Sequence, residues 1–152
     1  MAGRTGRTLK RRSAFWDASA LVPLCVGQSG TARALTLYQQ YDAVVWWATP
    51  VEIASALARL VRMKHLNSGE WATSRRLATD LADQWAVIRP SDGLRARATQ
   101  LVNRYDLRAA DALQLAAALE WCGDPPQGQV FIAADRRLRE AALLSGFEAE
   151  RL

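Results

Sequence analysis

Short apolar runs alternate with helical periods along this chain, and that alternation most narrows the folds open to it. Ser13–Asp17 (SAFWD), Ala43–Trp47 (AVVWW), Ala86–Ile88, Gln129–Ala134 and Phe147–Glu150 read as strands. Between them, apolar residues recur at helical spacing. The pattern predicts helices from near Ser19, then over Thr31–Tyr41, Pro50–Lys64, Gly69–Trp85, Asp92–Tyr105, Leu107–Trp121 and Arg136–Leu144. Gly123–Gly128 (GDPPQG) has the Gly and Pro content of a loop. Strands without internal polar residues are buried on both faces, so the expected fold is a single-domain α/β/α sandwich with a mostly parallel central sheet. Ligands in such sheets collect at the carboxyl ends of the strands.

Composition closes several other routes. With 152 residues, half of them apolar, the chain has enough material for one core and too much hydrophobicity for bulk disorder. No uncharged apolar run approaches the roughly 20 residues of a membrane span. Two distant cysteines (Cys25, Cys122) and one histidine (His65) supply neither a disulfide framework nor a zinc site, and a reduced, cytoplasmic protein is the expectation. The net charge of +5 belongs to the first 12 residues, where Arg4, Arg7, Lys10, Arg11 and Arg12 meet no acid. The other 140 residues carry 15 basic and 15 acidic groups. Residues 1–12 therefore read as a solvated, disordered basic tail, and 13–152 as the folded domain.

Acids stand at the strand ends. Asp17 closes the first strand, Glu52 follows the second after a Thr-Pro turn, and Asp135 follows VFIAA. Asp111 interrupts a helix, RAADALQLAAAL, that is apolar on nearly every face. Singly, each has a plain explanation. Thr49-Pro50-Val51-Glu52 fits a capping box, and Asp17 and Asp135 suit helix N-caps. Asp111 is harder to explain, because a buried carboxylate needs a cation or hydrogen-bond donors. Four carboxylates at one sheet edge would repel unless a cation neutralised them, and oxygen ligands without His or Cys suit Mg²⁺ or Mn²⁺.

The same residues carry a family resemblance. Asp17-Ala18-Ser19-Ala20-Leu21, Thr49-Pro50-Val51-Glu52, Leu107–Ala116 (LRAADALQLA) and Ala134-Asp135-Arg136-Arg137-Leu138 resemble, in order, the acidic motifs of PIN-domain ribonucleases. The nearest group is the toxins of VapBC-type toxin–antitoxin pairs. The resemblance implies a Mg²⁺-dependent endoribonuclease, with Mn²⁺ as a substitute, in which Asp17, Glu52, Asp111 and Asp135 are the catalytic and metal-binding residues. It implies that Ser19 supports the site, that products carry 5′-phosphate and 3′-hydroxyl ends, and that a cognate antitoxin and a second copy of the chain are partners. Two positions depart from the family pattern. Ala133 stands where Thr or Ser is frequent, and Gln114 where His is common, a change expected to touch packing and little else.

Other readings are weaker. A phosphoaspartyl protein with Asp17 as nucleophile lacks a lysine near the strand tips, since the only lysines are Lys10 and Lys64. There is no P-loop sequence. A PIN-like module that binds RNA or protein without cutting is the main alternative, and Ala133 leaves room for it. Arg33, Arg59, Arg62, Arg104, Arg108, Arg136, Arg137 and Arg139 are candidates for phosphate contact, although most read as ordinary surface charges. Trp46, Trp47, Trp71, Trp85 and Trp121 fall on apolar faces and read as core. Strand alternation turns Trp16 away from Asp17, and His65 reads as an exposed helix-end residue.

Overall fold

The computed structural model describes residues 10–123 and 125–152. Within them five strands alternate with seven helices: β1 Arg12–Trp16, α1 Ala18–Cys25, α2 Thr31–Gln40, β2 Tyr41–Trp46, α3 Thr49–Arg62, α4 Ser68–Ala82, β3 Ala86–Ile88, α5 Asp92–Tyr105, α6 Ala109–Cys122, β4 Val130–Ile132, α7 Arg136–Ser145 and β5 Glu148–Glu150. All the strand pairings are parallel, in the order β3-β2-β1-β4-β5. The expected α/β architecture is the one observed.

Alternation along the strands explains the layers. Ala14 and Trp16 of β1, Ala43 and Val45 of β2, and Val130 and Ile132 of β4 share one apolar cluster with α1, α2 and α3. Phe15, Val44, Trp46 and Phe131 point the other way, into a cluster with α5, α6 and α7. Phe15 stacks on Phe131 at 5.4 Å, and Phe131 meets Phe147 edge-on at 5.6 Å. Helix α6 is the buried member of this layer. Its run Gln114–Leu119 is sealed from solvent, which its alanines permit by letting the helix lie close to the sheet.

The chain builds outward from β1 through β2 to β3, then returns to add β4 and β5 on the other side. Right-handed crossovers put the helices of the two halves on opposite faces. The reversal opens a crevice at the carboxyl ends of β1 and β4, where an open α/β sheet accommodates ligands. The Asp17 N–H extends the ladder there by donating to the Ile132 carbonyl at 3.0 Å.

Several boundaries differ from expectation for local reasons. The fold begins earlier than Ser13: Arg12 is in β1, and Arg11 pairs with Asp42 at 2.7 Å, so the end of the basic segment is part of the domain. Residues 1–9, where the rest of the tail was expected, lie outside the described residues. Helix α3 ends at Arg62 because Lys64 takes a left-handed φ of 59°. A capping box does occur, but at the start of α4, where Asn67 and Glu70 bond reciprocally. Trp47 is a correction. It is 51% exposed just past the end of β2, whereas Trp46 is buried. Trp85 lies beyond α4 and is buried, its indole N–H donating to the Tyr38 hydroxyl. Trp16 is fully buried beneath α1 and α2, and His65 is exposed, both as expected.

Because Leu115 is fully buried on α6 against the sheet, Leu115→Ala leaves a cavity. Urea unfolding should show a loss of about 2–5 kcal/mol with an unchanged m-value.

Candidate active site

One cavity of about 410 Å³ opens at the sheet reversal, and Asp17, Glu52, Asp111 and Asp135 all line it. They arrive from four separate segments. Asp17 follows β1 directly, Glu52 sits in the first turn of α3, Asp111 in the first turn of α6, and Asp135 precedes α7. Every acid singled out in the sequence is therefore in the same place.

The plain explanations hold for two of the four. Asp17 is the N-cap of α1, accepting the Ser19 N–H on Oδ2 at 3.0 Å. Asp135 is the N-cap of α7, accepting the Leu138 N–H on Oδ1 at 2.8 Å. The cap bond of Asp17 falls on Oδ2 and that of Asp135 on Oδ1, and the Asp17 carboxylate also accepts from the Ser19 side chain and the Ala18 backbone. For Glu52 the capping-box reading fails. Ala48 is the N-cap of α3 and makes no side-chain cap bond, and Thr49 is already helical and fully buried. Glu52 instead meets Gln114 of α6, whose Nε2 donates to Glu52 Oε2. Asp111 also differs from expectation: it is half-buried at the cavity wall, not enclosed, because it occupies the open first turn of α6.

Ser19 fastens the two sides of the crevice. Its hydroxyl oxygen accepts the Ala134 N–H at 3.0 Å and lies 3.4 Å from the Asp135 N–H, tying the segment after β4 to α1. The same side chain bonds Asp17. Ala133 is buried, and Arg139 donates to its carbonyl at 3.2 Å, so backbone contacts hold the segment where a hydroxyl is absent.

Gln114 is the residue that sequence reasoning undervalued. It is fully buried, with Nε2 shared between Glu52 and Thr49 Oγ1. Its Oε1 has no donor among the described residues. A core that leaves an amide oxygen unsatisfied gives up free energy to keep the amide there. The available signal was its spacing: Gln114 lies three residues after Asp111, on the same face of a helix otherwise built from Ala and Leu.

Crowding shapes the electrostatics. Burial pushes the Asp17 carboxyl up to about 6, with the charge of Asp111 adding to the rise and Ser19 opposing it. Burial likewise raises Glu52 to about 7, reinforced by Asp17 and opposed by the Gln114 amide. Asp111 is raised by burial and then by Asp135, while Arg108 and Arg137 pull it down. The site thus holds more negative charge than it can stabilise alone. Its donors are all carboxylate oxygens, the set a hard divalent cation takes. Among the described residues no three His, Cys, Asp or Glu side chains stand in positions that would hold a metal ion as they are placed, so the four acids share a cavity and not a ready-made ligand cluster.

Two measurements follow. Raised carboxyls bind more protons in the folded than in the unfolded state, so metal-free stability falls as pH rises from about 4 to about 7. Asp17 alone contributes about 3 kcal/mol to that fall. Urea titrations in EDTA should trace it, and Mn²⁺ should restore stability at pH 7.5. Gln114→Met keeps the volume and removes the donor. It should raise the Glu52 pKa in a carboxyl ¹³C NMR titration and weaken Mn²⁺ binding about 10–100-fold.

With this geometry in view, comparison with known proteins is informative. Residues 14–144 match the PIN domain family model, a span containing all four acids. The chain is 36% identical over 137 residues to ribonuclease VapC45 of Mycobacterium tuberculosis strain CDC 1551 / Oshkosh and to ribonuclease VapC49 of strain H37Rv, covering 87% of this chain and 90% of each relative. Among solved structures, a toxin–antitoxin complex from Klebsiella pneumoniae superposes with a TM-score of 0.58 at 18% identity, over 81% of this chain and 87% of that one.

Proposed function

The chain belongs to the PIN-domain family, as a homologue of the VapC ribonucleases, and from that premise we propose that it is a Mg²⁺-dependent endoribonuclease, the toxin of a toxin–antitoxin pair. One observation supports the reading above the rest: four carboxylates from four separate segments line a single cavity at the sheet reversal. A structural role for Asp17 and Asp135 as caps accounts for two of them. It leaves Glu52 and Asp111 lining the same cavity without a capping role.

In the proposed mechanism Asp17, Glu52, Asp111 and Asp135 are the oxygen donors for the cation. When bound, Mg²⁺, or Mn²⁺ in its place, supplies the positive charge that polarises a scissile phosphate and makes water nucleophilic near neutral pH. The protein's own groups set the geometry. The Gln114 amide fixes the direction of Glu52, and Ser19 keeps the Asp135 segment against Asp17. The two caps fix the directions of Asp17 and Asp135. No serine, cysteine or histidine nucleophile is required: water would attack phosphorus and the 3′ oxygen would leave, giving the 5′-phosphate and 3′-hydroxyl ends that the family resemblance implies.

For partners, the solved relative is a toxin–antitoxin complex, which supports a cognate antitoxin here. Val61 and Met63 near the end of α3 and Leu77 on α4 remain exposed, and these apolar groups support a homodimer. No helix among the described residues is long and apolar enough to cross a membrane, and the cytoplasm is the proposed location.

Asp17→Asn and Asp111→Asn should abolish cleavage of structured RNA in Mg²⁺ while the fold persists. Because Asp17 is destabilising when ionised, Asp17→Asn should melt above wild type in EDTA at pH 7.5. Full cleavage by either variant, or by wild type in excess EDTA, rejects the mechanism.

A further inference from the structure

The arginines of this chain fall into two groups. Some are occupied by the protein itself: Arg33 pairs with Glu150 at 2.8 Å, Arg136 with Glu140 at 3.2 Å, and Arg139 donates to the carbonyls of Ala133 and Ala134. Others have no hydrogen bond or ion pair to described residues, and four of these stand around the acids. Arg59 and Arg62 line the same cavity as Asp17 and Glu52. Arg108 and Arg137 are close enough to Asp111 to lower its pKa.

Their placement has a direction. Glu52, Ser55, Arg59 and Arg62 all line the cavity from α3, at spacings of three, four and three residues that keep them on one helical face. At 1.5 Å per residue Arg59 stands about 10 Å beyond Glu52, and Arg62 about 15 Å. Arg108 precedes α6 and Arg137 lies in the first turn of α7, beside the acids that those two segments contribute. The cavity is therefore acidic in the middle and basic along its α3 wall, and a second basic bank, Arg108 and Arg137, stands beyond its lining on the side of Asp111. All four arginines are exposed, and an arginine fork matches two phosphate oxygens.

The end of α3 accounts for part of this, since a helix carboxyl terminus favours cations. That effect explains why α3 tolerates the two arginines. It does not explain why their bank continues the floor that begins at Glu52, or why a second bank rises at the start of α6 and α7.

The geometry points to a phosphate-binding track in which a single-stranded RNA segment runs along α3 past Arg62 and Arg59, crosses the acids, and leaves between Arg108 and Arg137. The inference rests on the nuclease reading, because only a cation among the acids lets a polyanion cross them. A chain of regularly spaced phosphodiesters meets both requirements at once: charge for each bank and a phosphate for the centre. Residues 13–152 carry 15 basic and 15 acidic groups, and Arg11 and Arg12 bring the folded part only to +2, so it binds RNA through a local distribution of charge and not through its sum.

The test is steady-state cleavage of a labelled RNA in Mg²⁺ across a NaCl series. Wild type is compared with Arg59→Ala/Arg62→Ala, Arg108→Ala/Arg137→Ala and a control, Arg76→Ala/Arg89→Ala, whose arginines neither line the cavity nor act on its acids. Each track pair should raise KM about tenfold with kcat within about threefold. Each should also reduce the magnitude of the salt slope of kcat/KM by about 1.4, the value for two phosphate contacts on a single strand. The control should change neither, and thermal melts should show all three variants folded. Cleavage with KM and salt slope at wild-type values in both track pairs overturns the track and leaves the nuclease reading standing. If wild type cuts nothing, the nuclease reading falls instead, and the same RNA in Mg²⁺ reports binding by fluorescence anisotropy. Affinity that drops in the track pairs then upholds the track as an RNA-binding surface, whereas no binding, or equal binding by all variants, overturns it.

Discussion

Desolvation of carboxylates, compounded by their mutual repulsion, is the constraint around which this molecule is organised. Asp17 and Glu52 are driven toward protonation by burial first and then by their acidic neighbours, so nothing about their own interactions would bring them together. The sheet does it. Parallel pairing of β1 with both β2 and β4 lines up the carboxyl ends of those strands, the segments that follow deliver Asp17, Glu52 and Asp135 to one crevice, and the start of α6 adds Asp111. The stability that offsets this cost is generated elsewhere, in the two apolar layers packed on the sheet.

Much of this was legible in the sequence because the relevant signals are periodic. Strands such as AVVWW and VFIAA are apolar at every position, which identifies a sheet covered on both faces, and that in turn identifies the strand ends as the place to search. What was not legible depends on tertiary contact. Thr49-Pro50-Val51-Glu52 has the composition of a capping box, yet the backbone starts the helix at Thr49, and the freed glutamate turns to Gln114. Gln114 was undervalued for the same reason, since its partner is 62 residues away in the chain. Trp47 reads as core by composition, but one step past the end of β2 is enough to put it in solvent.

The arginines illustrate a further limit. Eighteen of the 20 basic residues are arginine, and no pattern in the sequence separates those that brace the fold from those that do not. Partners separate them. Arg11 and Arg33 tie the amino-terminal segment and α2 to Asp42 and Glu150, whereas Arg59 and Arg62 meet no acceptor among the described residues. Gln114 and these arginines together show how a site is assembled from residues whose local explanation is incomplete. The buried amide oxygen is a cost that the fold alone does not require, and the exposed guanidinium groups, hydrated and without a bracing role among the described residues, are available to an acceptor from outside.

The double service of Asp17 and Asp135 as helix caps has an evolutionary consequence. In a lineage released from selection for activity, folding stability would conserve a capping side chain at both positions, since replacing a cap by alanine costs about 1 kcal/mol. At position 17 asparagine or serine caps as well as aspartate and removes a buried charge, while Glu52 and Asp111 have no capping role at all. Degenerate copies of this protein should therefore retain small polar caps at positions 17 and 135 and lose the acids at 52 and 111, so that carboxylates at the inner two positions mark a living enzyme better than the caps do.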